Sequence, residues 1–181
     1  MHVHRAAPLL AFIALGACGG QARGPGGAAL PDPIASASLS DTSGTRVGLA
    51  SFTLADGQGQ LGVSVAGLSP GEHGMHIHET GACTPPDFES AGGHFNPASR
   101  QHGLENPEGP HAGDLPNLVV KADGSADTTL VVSAGLLAEG TGSMIGAEKR
   151  AFVIHADPDD QRSDPSGNSG SRVVCGVIER R

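Results

Sequence analysis

Seven side chains of types that bind transition metals stand in an order that could gather them at one place. His76 and His78 stand two apart in Gly71-Glu72-His73-Gly74-Met75-His76-Ile77-His78-Glu79. In an extended strand, residues i and i+2 face the same side, so two imidazoles reach one ion without special backbone geometry. His94, His102, His111 and Asp114 follow, and His155 comes late, in Phe152-Val153-Ile154-His155-Ala156-Asp157. Nine His occur in 181 residues, and six belong to this set. Imidazole is the commonest ligand of zinc and copper, and a carboxylate is an accepted partner. Six imidazoles and a carboxylate are too many for one tetrahedral ion. The set predicts two sites, or two sites that share a ligand. Any one of these His, taken alone, reads equally well as a hydrogen-bonded or surface residue.

The elements that would carry the set are short and extended. Ile34–Leu39, Arg46–Leu54, Gln60–Val65 and His73–His78 read as strands separated by Asp41-Thr42-Ser43-Gly44, Ala55-Asp56-Gly57 and Ser69-Pro70-Gly71. Leu118–Lys121 and Thr128–Ser133 flank Ala122-Asp123-Gly124, which reads as a hairpin turn. Leu136–Glu148 fits a short strand or a connecting loop, Ala151–His155 reads as a strand, and Arg172–Ile178 closes the chain. Two long segments without pattern remain, Glu79–Pro116 and Asp157–Gly170. Loops of that length are usually functional or disordered, and three His and an Asp in the first favour a metal-organised loop. About eight strands with two long loops make an all-β antiparallel sandwich or barrel.

Composition agrees. Trp and Tyr are absent, Phe occurs five times, and Gly (28) and Pro (13) are frequent, so the core is Val, Ile, Leu and Ala between many turns. The net charge of -8 excludes nucleic acid as a partner, because that affinity comes from cations neutralising phosphate. The same charge repels anions, so an anionic substrate needs a local positive feature.

The N-terminus has its own logic. Residues 1–17 carry Arg5 and then an apolar run too short to span a bilayer, ending in Leu15-Gly16-Ala17-Cys18. This resembles a bacterial lipoprotein signal peptide, with Cys18 lipidated as the new N-terminus; an ordinary secretory leader is the alternative. Residues 18–33 read as a flexible Gly/Pro-rich tether, and 34–181 as the folded domain. The expected location is periplasmic, lipid-anchored to a membrane through Cys18, with Gly19 leaning towards the outer membrane. Export to an oxidising compartment favours a Cys83–Cys175 disulfide over two buried thiols.

The spacings of eight (94 to 102), nine (102 to 111) and three (111 to 114) follow a His-x-His pair, with the words HGMHIHE, AGGHFNP, HAGDLPN and GNSGSRVVCGV around them. In this the sequence resembles the copper/zinc superoxide dismutases, over roughly residues 34 to 179. The resemblance implies an eight-stranded Greek-key β-barrel or sandwich, immunoglobulin-like, whose two long metal-site loops cover one face. It implies copper on His76, His78, His94 and His155, zinc on His94, His102, His111 and Asp114, and His94 as a bridge. By the same resemblance Asp159 hydrogen-bonds one His of each set, although Asp157 and Asp160 are neighbours in register. His73 is structural, and Cys83–Cys175 ties the first metal-site loop to the barrel. Arg172 stands at the copper channel, where it docks superoxide for conversion to dioxygen and hydrogen peroxide. The resemblance leaves a homodimer open. One departure bears on rate: Arg162 is the only basic residue between His155 and Arg172. The competing reading is a protein of this fold that holds metal without turnover.

Overall fold

The structure is a computed structural model and describes Met1 and residues 31–138, 140, 142–146 and 148–181. Cys18, the leader beyond Met1 and the tether up to residue 30 lie outside the described residues. The strands are β1 (Ala35–Asp41), β2 (Arg46–Ala55), β3 (Gln58–Val65), β4 (Gly71–His73), β5 (Met75–His78), β6 (Leu118–Val120), β7 (Ala126–Val132), β8 (Ala151–His155) and β9 (Arg172–Arg180). All pairings are antiparallel. Seven strands run in the order β5-β8-β9-β1-β2-β3-β7, and β4 pairs with β6.

The expected single strand His73–His78 is divided at Gly74, which hands the chain from the β4–β6 pair to the β5–β8 pair. Counted as one bent strand, β4 and β5 make the total the eight of a Greek-key barrel. A side chain at Gly74 would press on Ser169 Cβ at 2.8 Å, so the corner is tight where the second long loop crosses it. The Asp56-Gly57 dipeptide joins β2 to β3 with Ala55 opposite Gln58, a two-residue hairpin with both central φ values positive.

One further expectation changes, and one open alternative resolves to a connecting loop. Ala122-Asp123-Gly124 closes a turn, with Lys121 N–H on Ser125 O at 2.8 Å, but not a hairpin ladder. The strands it joins diverge at once, β6 to β4 and β7 to β3, so it turns a corner between sheets. Leu136–Glu148 forms no strand among its described residues; a 3₁₀ turn over Ala134–Leu137 leads into bends that bury Met144 and Ile145.

Alternation explains most of the core. Ala35, Ala37 and Leu39 of β1, Ala50 and Phe52 of β2, and Leu61, Val63 and Val65 of β3 point inwards, while their neighbours meet solvent or the rim. β8 is different, because all five of its residues are buried. Phe152 and Ile154 enter the main core, whereas Ala151 and Val153 pack with Phe88, Ala91 and Cys175 beneath the first long loop. That two-sided burial is why Ala151–His155 reads as an unbroken apolar run.

Candidate metal centre

β5 is an edge strand of its ladder, with β8 on one side. Its open edge is stitched to the first long loop. Ile77 N–H donates to Gly113 O (2.8 Å), Phe95 N–H to Ile77 O (2.8 Å), and Gly113 N–H to Phe95 O (2.9 Å). Gly113 permits this approach, since a Cβ there would lie 2.3 Å from Ile77 O. The stitching sets His78 opposite His94 and His76 opposite Asp114. From the other side, the irregularity between Ile154 and His155 at the end of β8 pairs His155 with Arg172.

Each of four rings has one nitrogen committed and one free. His76 Nε2 donates to Asp159 Oδ2 (2.7 Å), His78 Nδ1 to Gly92 O (3.0 Å), and His155 Nδ1 to Gly170 O (3.1 Å). His94 Nδ1 lies 3.1 Å from Asp114 Oδ1. The remaining nitrogens, His76 Nδ1, His78 Nε2, His94 Nε2 and His155 Nε2, are buried without a hydrogen-bond partner. Ligand atoms of these four residues fall within 4.8 Å of one another. Burial, above all, makes the charged ring costly there. It holds His94 at about 4, His155 at about 3 and His78 at about 2, and lowers His76 as well. At neutral pH these are neutral imidazoles whose lone pairs converge, as a cation requires.

A second cluster lies behind His94. Asp114 Oδ2 accepts from the Gly103 and His111 N–H groups, both at 2.9 Å, which turns Oδ1 to face the rings. His94 Nδ1 and His102 Nδ1 stand 3.1 Å from that oxygen, and His111 Nδ1 stands 3.3 Å from it. His111 Nδ1 is also 3.5 Å from His94 Nδ1. Metal–ligand distances of ~2.0–2.1 Å imply edges of ~3.3 Å in a tetrahedron, and these separations match. His76 also comes within 4.8 Å of His94, His102 and Asp114. Its Nε2 is taken by Asp159 and its Nδ1 faces the first cluster, so His111 is the better fourth member.

Asp159 joins the two clusters. Besides His76 it accepts from His102 Nε2 (3.0 Å) and Gln161 N–H (2.6 Å) on Oδ1. Its neighbour Asp160 is occupied elsewhere, capping the Arg162 and Ser163 N–H groups. Burial works against the His102 charge, but Asp114 and Asp159 outweigh it and raise His102 to about 9. Against their own burial, hydrogen bonds from His102 hold both carboxyls well below the usual range. Asn117, which the sequence reading passed over, clamps the backbone of Asp159 with two 2.9 Å bonds. Its only sequence signal is its place three residues after Asp114.

Arg172 opens β9, its Nη1 on Phe88 O and its Nη2 on Gly92 O, each at 2.6 Å. Gly92 O thus serves both Arg172 and His78. The Cys83–Cys175 disulfide, with Cα atoms 5.6 Å apart, pins the segment that supplies these carbonyls to β9. His73 spans Ser69 O (2.8 Å) and His155 O (2.7 Å) through its two nitrogens and takes no part in either cluster.

A buried two-cluster imidazole centre on a Greek-key barrel defines a class of metal-dependent oxidoreductase, and comparison with known proteins identifies the class. The family profile of copper/zinc superoxide dismutase matches residues 46–178. The superoxide dismutase-like protein YojM of Bacillus subtilis (strain 168) is 44% identical over 143 residues, 77% of this chain and 73% of that protein. The Cu-Zn superoxide dismutase 2 of Aquifex aeolicus (strain VF5) is 43% identical over 149 residues, 81% of this chain and 87% of that protein. Among solved structures, a double mutant of the SOD-like protein from Bacillus subtilis superposes with a TM-score of 0.73 at 43% identity, covering 80% of this chain and 96% of that one. This chain belongs to the copper/zinc superoxide dismutase family.

Proposed function

We propose that the chain dismutes superoxide, two superoxide ions and two protons giving dioxygen and hydrogen peroxide, with copper held by His76, His78, His94 and His155. Zinc is assigned to His94, His102, His111 and Asp114, with His94 shared through its two nitrogens. The carrying observation is the set of four buried ring nitrogens left without partners while the opposite side of each ring is tied. When bound, copper supplies the one-electron exchange and zinc a fixed charge at the shared ring. The protein's part is to position and to move a proton. Arg172, locked by two carbonyls, offers its charge and its uncommitted N–H groups to a small anion beside the first cluster. His94 Nε2 lies on that side and, when not ligating copper, would hold a proton for the product. Asp159 fixes the orientation of His76 and His102.

We also propose export and lipid anchoring through Cys18, with residues 34–181 as the exported domain and the outer membrane as its site. Its support is the disulfide, which belongs to an oxidising compartment. Cys18→Ala is expected to move the protein from the membrane to the soluble fraction of lysed cells; an unchanged distribution refutes the anchor.

Superoxide decay followed by pulse radiolysis, on protein loaded with one copper and one zinc, tests the activity. Catalytic decay far above free copper, abolished by His155→Ala with zinc retained, is the expected result. Stoichiometric binding of both metals without catalysis would assign the chain to metal holding instead.

A further inference from the structure

The approach to Arg172 carries a charge pattern that the reaction itself does not require. A pocket of about 560 Å³ opens onto Arg172, and its lining includes Thr42, Asp87, Glu89 and Gly170. Gly170 O accepts from His155, so one wall of the pocket adjoins the first cluster. Of the described residues that line it, Arg172 is the sole cation and Asp87 and Glu89 are the anions. Their placement is built into the backbone. Phe88 is buried and its carbonyl accepts from Arg172, so residues 87 and 89 on either side of it point outwards at the rim. Both lie close enough to favour the Arg172 charge. Asp87 Oδ1 also accepts the Glu89 N–H at 3.0 Å, which keeps the two acids together.

Among the described residues, Arg162, Lys149 and Arg150 are each engaged elsewhere. Arg162, alone among basic residues between His155 and Arg172, is paired with Glu105 at 2.6 Å. Lys149 is paired with Glu179 at 2.7 Å, and Arg150 is buried over the Phe95 ring. The pair therefore acts on an anion before Arg172 can, in water, where its field is long-ranged at low salt.

We propose that Asp87 and Glu89 form an anionic collar that slows entry of the anionic substrate, so that this chain works faster as ionic strength rises. This rests on the dismutase reading above. A unit charge beside the entry path changes an encounter rate by about twofold in water, so the two together slow it about fourfold at low salt. Raising ionic strength from ~10 mM to ~150 mM shortens the screening length from ~30 Å to ~8 Å and lifts most of that.

The test uses the metal-loaded protein, with ionic strength set by sodium perchlorate, and two readouts: superoxide decay by pulse radiolysis, and azide affinity from the copper absorption band. Asp87→Asn with Glu89→Gln keeps the turn, since Asn retains an oxygen for the Glu89 N–H. Asp32→Asn with Asp56→Asn removes the same charge at the end of β1 away from Thr42. The parent is expected to gain rate and azide affinity with salt. The collar variant is expected to start about fourfold higher with a flattened salt response, and the distant variant to follow the parent. A parent whose rate and azide affinity fall with salt overturns the collar, as does a collar variant no different from the distant one. Absence of catalysis with the azide pattern intact refutes the dismutase reading and leaves the collar standing.

Discussion

Replacing Asp159 by Ala separates the two clusters, and the structure predicts that the damage is unequal. Two charge-assisted hydrogen bonds disappear, His76 Nε2 at 2.7 Å and His102 Nε2 at 3.0 Å, and both donors are fully buried. Each such bond contributes ~1.5–3 kcal/mol, and losing the outer partner of a ligating His costs about 10- to 100-fold in metal affinity. His76 keeps its place without Asp159, because its backbone stays paired with Val153 in the β5–β8 ladder. His102 belongs to no strand, and its backbone N–H hangs on Asp164 Oδ1 (2.7 Å), a side chain 47% exposed. Zinc affinity should therefore fall by about 100-fold and copper affinity by about tenfold or less. Competition against chromophoric chelators for each ion in turn measures both, with far-ultraviolet circular dichroism as the check that the sheet survives. Asp159→Asn should lie between, since its amide retains one accepting oxygen for three donors. Zinc affinity equal to the parent's, or a larger loss at copper than at zinc, refutes the argument that Asp159 acts chiefly through the loop-borne ring.

Three further outcomes follow from the same coordinates. Cys83→Ser opens a loop spanning 92 residues and should lower stability in urea by up to ~4 kcal/mol with zinc still bound; an unchanged midpoint refutes a structural role for the bridge. Arg172→Leu removes the fixed cation beside the proposed copper ligands and should reduce kcat/KM for superoxide by roughly tenfold or more, leaving both metals in place; full retained activity in pulse radiolysis refutes its docking role. In the metal-free protein, His78, His94 and His155 titrate at about 2, 4 and 3, below their ordinary 6.5, because burial disfavours the charged rings. The unfolded chain takes up those protons first, so stability is lost as pH falls from 6.5 towards 3. His102, raised to about 9, contributes fully below 6.5 and loses its contribution as pH rises through 9. Urea midpoints across pH should peak near neutrality, and a midpoint that climbs on acidification refutes the assignment.

What could be read ahead of the structure follows from how each residue is held. His76 and His78 lie on a strand, where a period of two fixes the face, so their shared direction was legible. His94, His102, His111 and Asp114 sit on a loop whose shape comes from edge stitching by Ile77, Phe95 and Gly113, and from Asp114 Oδ2 capping two backbone N–H groups. No periodicity encodes those bonds, and only the ordered motif gave the grouping away. The break of His73–His78 at Gly74 was missed because the word is continuous, while the corner is imposed by the second long loop pressing from outside. The supposed hairpin at Asp123 failed for a related reason. Turn chemistry is local, whereas the partners of β6 and β7 are chosen by the two sheets they complete.

The acids at residues 87 and 89 were visible as composition, but their consequence was not. With Phe88 buried at the start of the Glu89–Ala91 3₁₀ turn, its two exposed neighbours lie beside the guanidinium proposed to dock the substrate. The segment that holds Arg172 in its proposed docking pose is the same one that carries both acids. Positioning and steering are therefore coupled here through one short stretch of backbone. A substitution that moves Phe88 should disturb both, whereas one confined to the flanking carboxylates should alter only the approach.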